Sequence, residues 1–239
     1  MGIAGDGYMG KSVTWMVNMK KLADEGELGG LMVRLMMILQ DFALANHSMG
    51  IWKAEENQKL KHRKVGAGRY FLRLQISHIC EAFKIIEKEI EKSAELKAAI
   101  EACDARTKKS YHTVLDFLKS DDYKLLLRIR NNIGFHYGGT VVLQSLERLE
   151  KRQEQKRHEK KYTNDNVALT LGTGALDWYF KPTEWVENDV IVHGIFDLPQ
   201  DEEPADLQAK TDDIVMRLHS IAKVFCDFAA YFIKFHAKA

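Results

Sequence analysis

The sequence predicts a mainly α protein, an up-and-down helical bundle with a small β-hairpin insertion before its last helix. Three observations carry this reading. Two long segments repeat apolar residues at steps of three and four: Leu72, Ile76, Ile79, Phe83, Ile86 and Ile90, then Ile214, Leu218, Ile221, Phe225, Phe228, Phe232 and Phe235. That period lays one apolar seam along a helix. The 3 prolines, Pro182, Pro199 and Pro204, all fall late in the chain, which leaves residues 1–181 without the residue that most disrupts helices. Only around residues 167–196 does the pattern turn to β-branched and aromatic runs separated by glycine.

The 239 residues read as one domain, 1–239. Residues 1–27 form a loose N-terminal arm or short helix, with Val13 to Leu22 as its helical part. The bundle core spans 28–160. Leu28 to His47 is a helix with Leu31, Leu35, Ile38, Phe42 and Ala45 on one face. A polar, basic connection follows over 48–68, containing Lys59, Lys61, His62, Arg63 and Lys64. The first long seam gives a helix from about Arg69 to Lys92. Shorter helices follow over Ala94 to Cys103 and Thr107 to Leu118.

Ser120-Asp121-Asp122 supplies cap residues for a helix from Tyr123 to about Ile133, which glycine at 134 or at 138–139 loosens or ends. Residues 140–161 begin apolar and become charged; Arg148 to Lys161 holds seven Lys/Arg and three Glu. Such a stretch is either a solvated helix with pairs such as Glu147 and Lys151, or a basic face for RNA. The β insertion is placed at 165–197, with strands over Val167 to Leu171, Ala175 to Phe180 and Val190 to Phe196. Pro199 to Pro204 is an acidic linker, and the second seam is a C-terminal helix over 205–239.

Composition narrows function by exclusion. Hydrophobic residues make up 46% and charged residues 29% of the chain, as in ordinary globular proteins. A net charge of +1 gives no global field toward nucleic acid or membrane, so any such binding needs a local site. Cys80, Cys103 and Cys226 are odd in number and far apart, which fits reduced packing residues in a cytoplasmic protein better than a disulfide frame or zinc site. We expect no signal peptide, no membrane span, no metal and no cofactor. Gly5 to Ser12 matches the phosphate-loop pattern G-x-x-x-x-G-K-S, but only Met1 to Ala4 precedes it, too short for the buried strand that such a loop requires. We read it as part of the N-terminal arm.

Polar chemistry concentrates in Arg128-Ile129-Arg130-Asn131-Asn132-Ile133-Gly134-Phe135-His136-Tyr137. A guanidinium clamps phosphate with its fork of donors, and an imidazole moves protons near neutral pH. On a continuous helix Arg130 and His136 would sit roughly 120° apart, and Arg128 and His136 about 80°. The structural reading of the same residues has Arg128 and Arg130 pairing with Asp121, Asp122 or Glu147 and His136 capping a helix C-terminus. His78, His112, His193 and His219 have no partner at metal-ligand spacing; His78 can face Glu81 or Gln75, and His112 can approach the motif helix. Trp178 and Trp185 either stack on bases or pack the β insertion.

The stretch Leu127 to Tyr137 resembles the motif of the HEPN superfamily, in which an arginine, often followed by asparagine, precedes a histidine near the end of a helix in a small bundle. Arg130-Asn131, five intervening residues, His136 and the Phe-His-Tyr ending carry the resemblance. It is specific over about fifteen residues and reaches 28–160 only as a helical bundle; it looks most like the branch associated with phage abortive infection and toxin–antitoxin modules.

The resemblance implies a metal-independent endoribonuclease acting as a homodimer on RNA, with an antitoxin protein as a further partner and no membrane association. Arg130 would hold the scissile phosphate, His136 would be the general acid or base, Asn131 would position either, and Tyr137 would add a supporting hydrogen bond. Arg128 and Asn132 would bind substrate. Some members of the superfamily have lost catalysis, so the alternative is a module that binds nucleotide, RNA or a partner protein.

Overall fold

The computed structural model describes residues 18–56, 63–134, 139–158, 169–170 and 179–238. Among these the protein is mainly helical. In chain order the elements are α1 (Met19–Asp24), α2 (Gly26–Ala54), α3 (Lys64–Lys88), a 3₁₀ turn (Ile90–Lys92), α4 (Ala94–Glu101), α5 (Ala105–Phe117), α6 (Asp121–Ile129) and a π-helical turn (Arg130–Gly134). Then come α7 (Gly139–His158), β1 (Leu169–Thr170), β2 (Tyr179–Phe180), α8 (Lys181–Asp189), a π-helical segment (Val190–Ile195) and α9 (Pro204–Lys238).

The two seams build the core. Ile76, Ile79, Phe83 and Ile86 of α3, with Ile90 just beyond it, are buried, as are Ile214, Leu218, Ile221, Phe225, Phe228 and Phe232 of α9. Leu31, Met32 and Leu35 of α2 meet them in one cluster with Tyr111, Val114, Tyr123, Leu126 and Ile129. Phe83 sits among three aromatic rings, with centroids 5.5 Å from Phe117, 6.0 Å from Tyr123 and 5.7 Å from Phe225. Full burial of each such ring contributes about 1.5–3 kcal/mol. Phe235, the last residue of the C-terminal seam, only packs against the cluster's edge.

Side-chain caps fix four helix starts. Asn18 Oδ1 accepts from Lys20 and Lys21 N–H, Ser93 Oγ from Leu96, Asp104 Oδ1 from Thr107 and Ser120 Oγ from Tyr123. Each satisfies a backbone donor that the helix itself leaves unmade. Of the three residues expected to cap α6, Ser120 does so, while Asp121 and Asp122 lie in its first turn, where carboxylates oppose the helix dipole favourably. Two glycines shape the start of the bundle. Gly26 turns α1 into α2 with φ +57, and a Cβ on Gly29 would lie 1.8 Å from the Leu22 carbonyl oxygen. The two helices therefore pack backbone to backbone.

Three expectations need correction. The segment 48–68 is not a connection throughout: α2 runs on to Ala54 and α3 starts at Lys64, because no proline interrupts the run after His47. The long α3 ends at Lys88, where Ile90–Lys92 tightens into the 3₁₀ turn before the Ser93 cap. The expected β insertion at 165–197 is not supported as a β element. Its pairing amounts to Leu169 opposite Phe180 and Thr170 opposite Tyr179, and Lys181–Ile195 is helical. Pro182 sits in the first turn of α8, where its fixed φ suits a helix start, and the run from Val190 to Ile195 continues as π-helix instead of a third strand. The rest of that insertion, the Gly5 to Ser12 loop and Trp178 lie outside the described residues.

Helix α2 is the most apolar of the described helices: an 18-residue window within Gly26–Trp52 has a mean hydropathy of 1.5, enough by length and composition to cross a bilayer. In the fold α2 packs against α3 and α9. Cross-helix ion pairs brace the assembly: Arg34 forks onto Glu89 at 2.8 and 2.5 Å, Arg217 of α9 holds Asp122 at 2.9 Å, and Arg73 of α3 pairs with Glu187 of α8. Arg69 adds a 2.7 Å hydrogen bond to the Glu184 carbonyl, which fastens α8 onto α3.

Candidate functional site

Helix α6 buries Tyr123, Leu126 and Ile129, and that face sets where the motif residues emerge. Immediately after Ile129 the backbone widens from α to π geometry at Arg130. Turns of this kind recur at functional positions, because the widened ladder re-aims side chains without ending the helix. It also cancels the 120° estimate for Arg130 and His136, which assumed a continuous α-helix.

Arg130 turns back toward α3. Its Nη2 lies 2.5 Å from Glu81 Oε1, and its Nη1 donates to Asn131 Oδ1 at 3.2 Å. Its Nε is sealed from water and has no hydrogen-bond partner among the described residues. Glu81 also accepts from Lys84 Nζ at 2.9 Å. Burial pushes the Glu81 carboxyl upward, but the Lys84 hydrogen bond and the positive charge of Arg130 outweigh it and hold the group below its ordinary value. Cys80, beside this pair, is pushed up to about 12 by burial, only partly opposed by the Arg130 charge, so its thiol stays protonated.

The remaining described motif residues divide. Asn132 bonds back to the Arg128 carbonyl at 2.8 Å, a local contact. Arg128 points away from Arg130 and donates to the Gly194 carbonyl at 2.9 Å. The structure thus brings together Arg130, Asn131 and Glu81, and sends Arg128 to the Val190–Ile195 segment. His136 and Tyr137 lie outside the described residues. The pairing of Arg128 and Arg130 with Asp121, Asp122 or Glu147 does not occur: Asp121 holds Lys124 at 2.8 Å and Asp122 is taken by Arg217. Both aspartates sit at the opposite end of α6, two turns from the arginines; Asp121 is exposed, and Asp122 is held by Arg217 of α9.

Glu81 is the residue that sequence reasoning missed as a site member. It falls outside the α3 seam and looks like any solvated glutamate, and only the crossing of α6 over α3 makes it the partner of Arg130.

Other candidates resolve as packing or surface residues. His78 Nδ1 lies 3.8 Å from Asp41, not against Glu81 or Gln75. His112 is exposed, with its ring against Tyr111 at 5.7 Å. His219 is exposed on α9. His193 is buried in the π-helical segment, where its Nδ1 is 2.8 Å from the Leu198 carbonyl. Trp185 lines a surface groove of about 420 Å³ with Leu143, Leu146, Pro182 and Val186, and none of the described motif residues reaches it. Among the described residues no group of three or more His, Cys, Asp or Glu is placed to hold a metal ion.

A second charged cluster joins α7 to α8. Asp189, only 1% exposed, receives Arg148 Nε at 2.8 Å and pairs also with Arg152. Arg152 Nη1 lies 3.4 Å from His193 Nε2.

Comparison with models of known protein families, with curated protein sequences and with solved structures finds no match to this chain.

Proposed function

We propose that this protein is a metal-independent endoribonuclease of the HEPN type, a toxin or phage-defence effector that works in the cytoplasm as a homodimer, with an antitoxin protein as a further partner. The observation that carries the reading is the placement of Arg130-Asn131 at the first residues of a π-helical turn, with the guanidinium held by Glu81 and the arginine side chain still 29% exposed. A guanidinium held on one side by a carboxylate and open to solvent on the other is preorganised for a phosphate oxygen.

In this mechanism His136 removes the proton from a ribose 2′-hydroxyl. The 2′-oxygen attacks the adjacent phosphorus, the bond to the 5′-oxygen breaks, and the leaving oxygen takes up a proton. A 2′,3′-cyclic phosphate and a free 5′-hydroxyl result. Arg130 bears the charge that builds on the phosphoryl oxygens, and Glu81 keeps it aimed. Asn131 accepts from Arg130 Nη1 and so helps set the plane of the guanidinium. Tyr137 adds a hydrogen bond, and Asn132 steadies the backbone at Arg128.

The Arg130–Glu81 pair also favours a second reading, a non-catalytic module that binds nucleotide, RNA or a partner protein, because a neutralised arginine already has a structural role. RNA cleavage in the presence of chelator separates the two. Wild type should cleave, while His136→Ala and Arg130→Ala should stay folded and not cleave. Equal cleavage by wild type and His136→Ala refutes the catalytic assignment, and no cleavage by any of them over several RNA types leaves the binding module.

A further inference from the structure

We propose that Arg128, Arg148 and Arg152 form a phosphate-binding surface for the backbone of single-stranded RNA, organised around the Val190–Ile195 segment. The inference takes the identity of its polyanion from the ribonuclease reading; the cationic surface itself is argued from geometry.

Three guanidiniums reach this segment from two helices. Arg128 leaves the end of α6 and donates to the Gly194 carbonyl at 2.9 Å. Arg148 and Arg152, one turn apart on α7, both hold Asp189. Gly194 lies between the two groups, since a Cβ there would stand 3.3 Å from Arg148 Nη2. Arg128 and Arg148 therefore flank a single residue, and a side chain at 194 would crowd the Arg148 guanidinium.

The charges do not balance. Among the described residues Asp189 is the one carboxylate bound by these arginines, so three positive groups against one negative leave two in excess. His193 supplies no negative charge. Its Nδ1 lies 2.8 Å from the Leu198 carbonyl oxygen and its Nε2 3.4 Å from Arg152 Nη1.

The side chains of Arg148 and Arg152 are still 22% and 28% accessible, and Arg128 is exposed.

A latch between α7 and α8 needs one arginine on Asp189, and a second arginine on the same carboxylate, with a third beside it, adds repulsion that the fold does not require. An approaching phosphodiester relieves it. Each phosphate brings one negative charge, and its oxygens match the guanidinium fork. The near-neutral net charge of +1 makes such a local concentration the route by which this chain would hold a polyanion.

The test is binding of a fluorescein-labelled, single-stranded 2′-O-methyl oligoribonucleotide, which cannot be cleaved by 2′-oxygen attack. Anisotropy is followed over a salt series for the full chain and its variants, with folding checked by circular dichroism. Arg128→Gln should weaken binding several-fold and lower the salt slope by about one. Asp189→Asn, by adding to the excess charge, should tighten binding. Should Asp189→Asn fail to fold, Arg128→Glu replaces it and should weaken binding further than Arg128→Gln. Unchanged affinity and salt slope in Arg128→Gln overturn the inference, as does weaker binding by a folded Asp189→Asn or no binding by wild type. Cleavage of unmodified RNA by the same preparation reports separately on the ribonuclease reading.

Discussion

Arg130 Nη2 stands 2.5 Å from Glu81 Oε1 where the end of α6 crosses α3. The pair ties the first residue of the π-helical turn to the middle of a core helix, with the arginine side chain 29% and the glutamate 51% exposed. At that exposure the ion pair adds only about 0.2–1 kcal/mol to stability. Its consequence lies in orientation. Glu81→Gln should leave the melting temperature nearly unchanged but lower kcat for RNA cleavage by about tenfold or more, with KM little affected, as expected when an interaction made in the transition state is lost. A Glu81→Gln enzyme with wild-type kcat would show that Arg130 needs no such partner.

His236 makes the protein sensitive to mild acid. Burial lowers its pKa below the ordinary 6.5, against the opposing hydrogen bond to the Ala99 carbonyl. The neutral ring donates to that carbonyl at 3.2 Å and lies 3.5 Å from Cys103 Sγ. Because the unfolded chain binds the proton more readily, this contribution to stability is complete above about pH 6.5 and is lost as pH falls through the folded value. Melting curves between neutral and mildly acidic pH should fall more steeply for wild type than for His236→Gln. Parallel curves would remove His236 as the cause.

Gly29 should not tolerate a methyl group. A Cβ at 1.8 Å from the Leu22 oxygen overlaps backbone that no rotamer can move aside. Gly29→Ala should push α1 off α2 and cost about 1–3 kcal/mol, read as a lower urea midpoint. Gly30→Ala, where nothing lies within 4 Å, is the control and should be neutral or slightly stabilising.

The cysteines should be slow to react in the folded state. Burial raises Cys80 to about 12 and Cys103 and Cys226 to about 11, far from the range in which thiolate forms readily. Thiol titration at mildly alkaline pH should find all three unreactive until denaturant is added. Rapid labelling of Cys80 in the native protein would instead mean that the wall beside Arg130 opens.

The α3 and α9 seams were legible because their steps of three and four admit only one helical face, and the residues of that face are buried except for the half-buried Leu72 and Phe235 at its ends. Ser120 was legible as a cap for the same local reason, since a hydroxyl two or three residues before an apolar run has one preferred use. Other features were not. Val190-Ile-Val-His-Gly-Ile reads as a strand by composition, yet it is π-helical where Asp189 and His193 dock on Arg148 and Arg152 of α7. Composition ranks conformations by fractions of a kcal/mol, and a buried ion network overrides it.

The candidate site divides along the same line. By itself the sequence determined the helical class, the two apolar seams, the free cysteines and the concentration of Arg128, Arg130 and Asn131 in one stretch, because these depend on near neighbours in the chain. Tertiary structure alone decided that Arg130 faces Glu81 across 49 residues, that Arg128 reaches Gly194 across 66, and that Arg148 and Arg152 share a buried aspartate. Those pairings follow from how helices cross, and a crossing is fixed by the packing of whole faces rather than by the charged residues it happens to bring together.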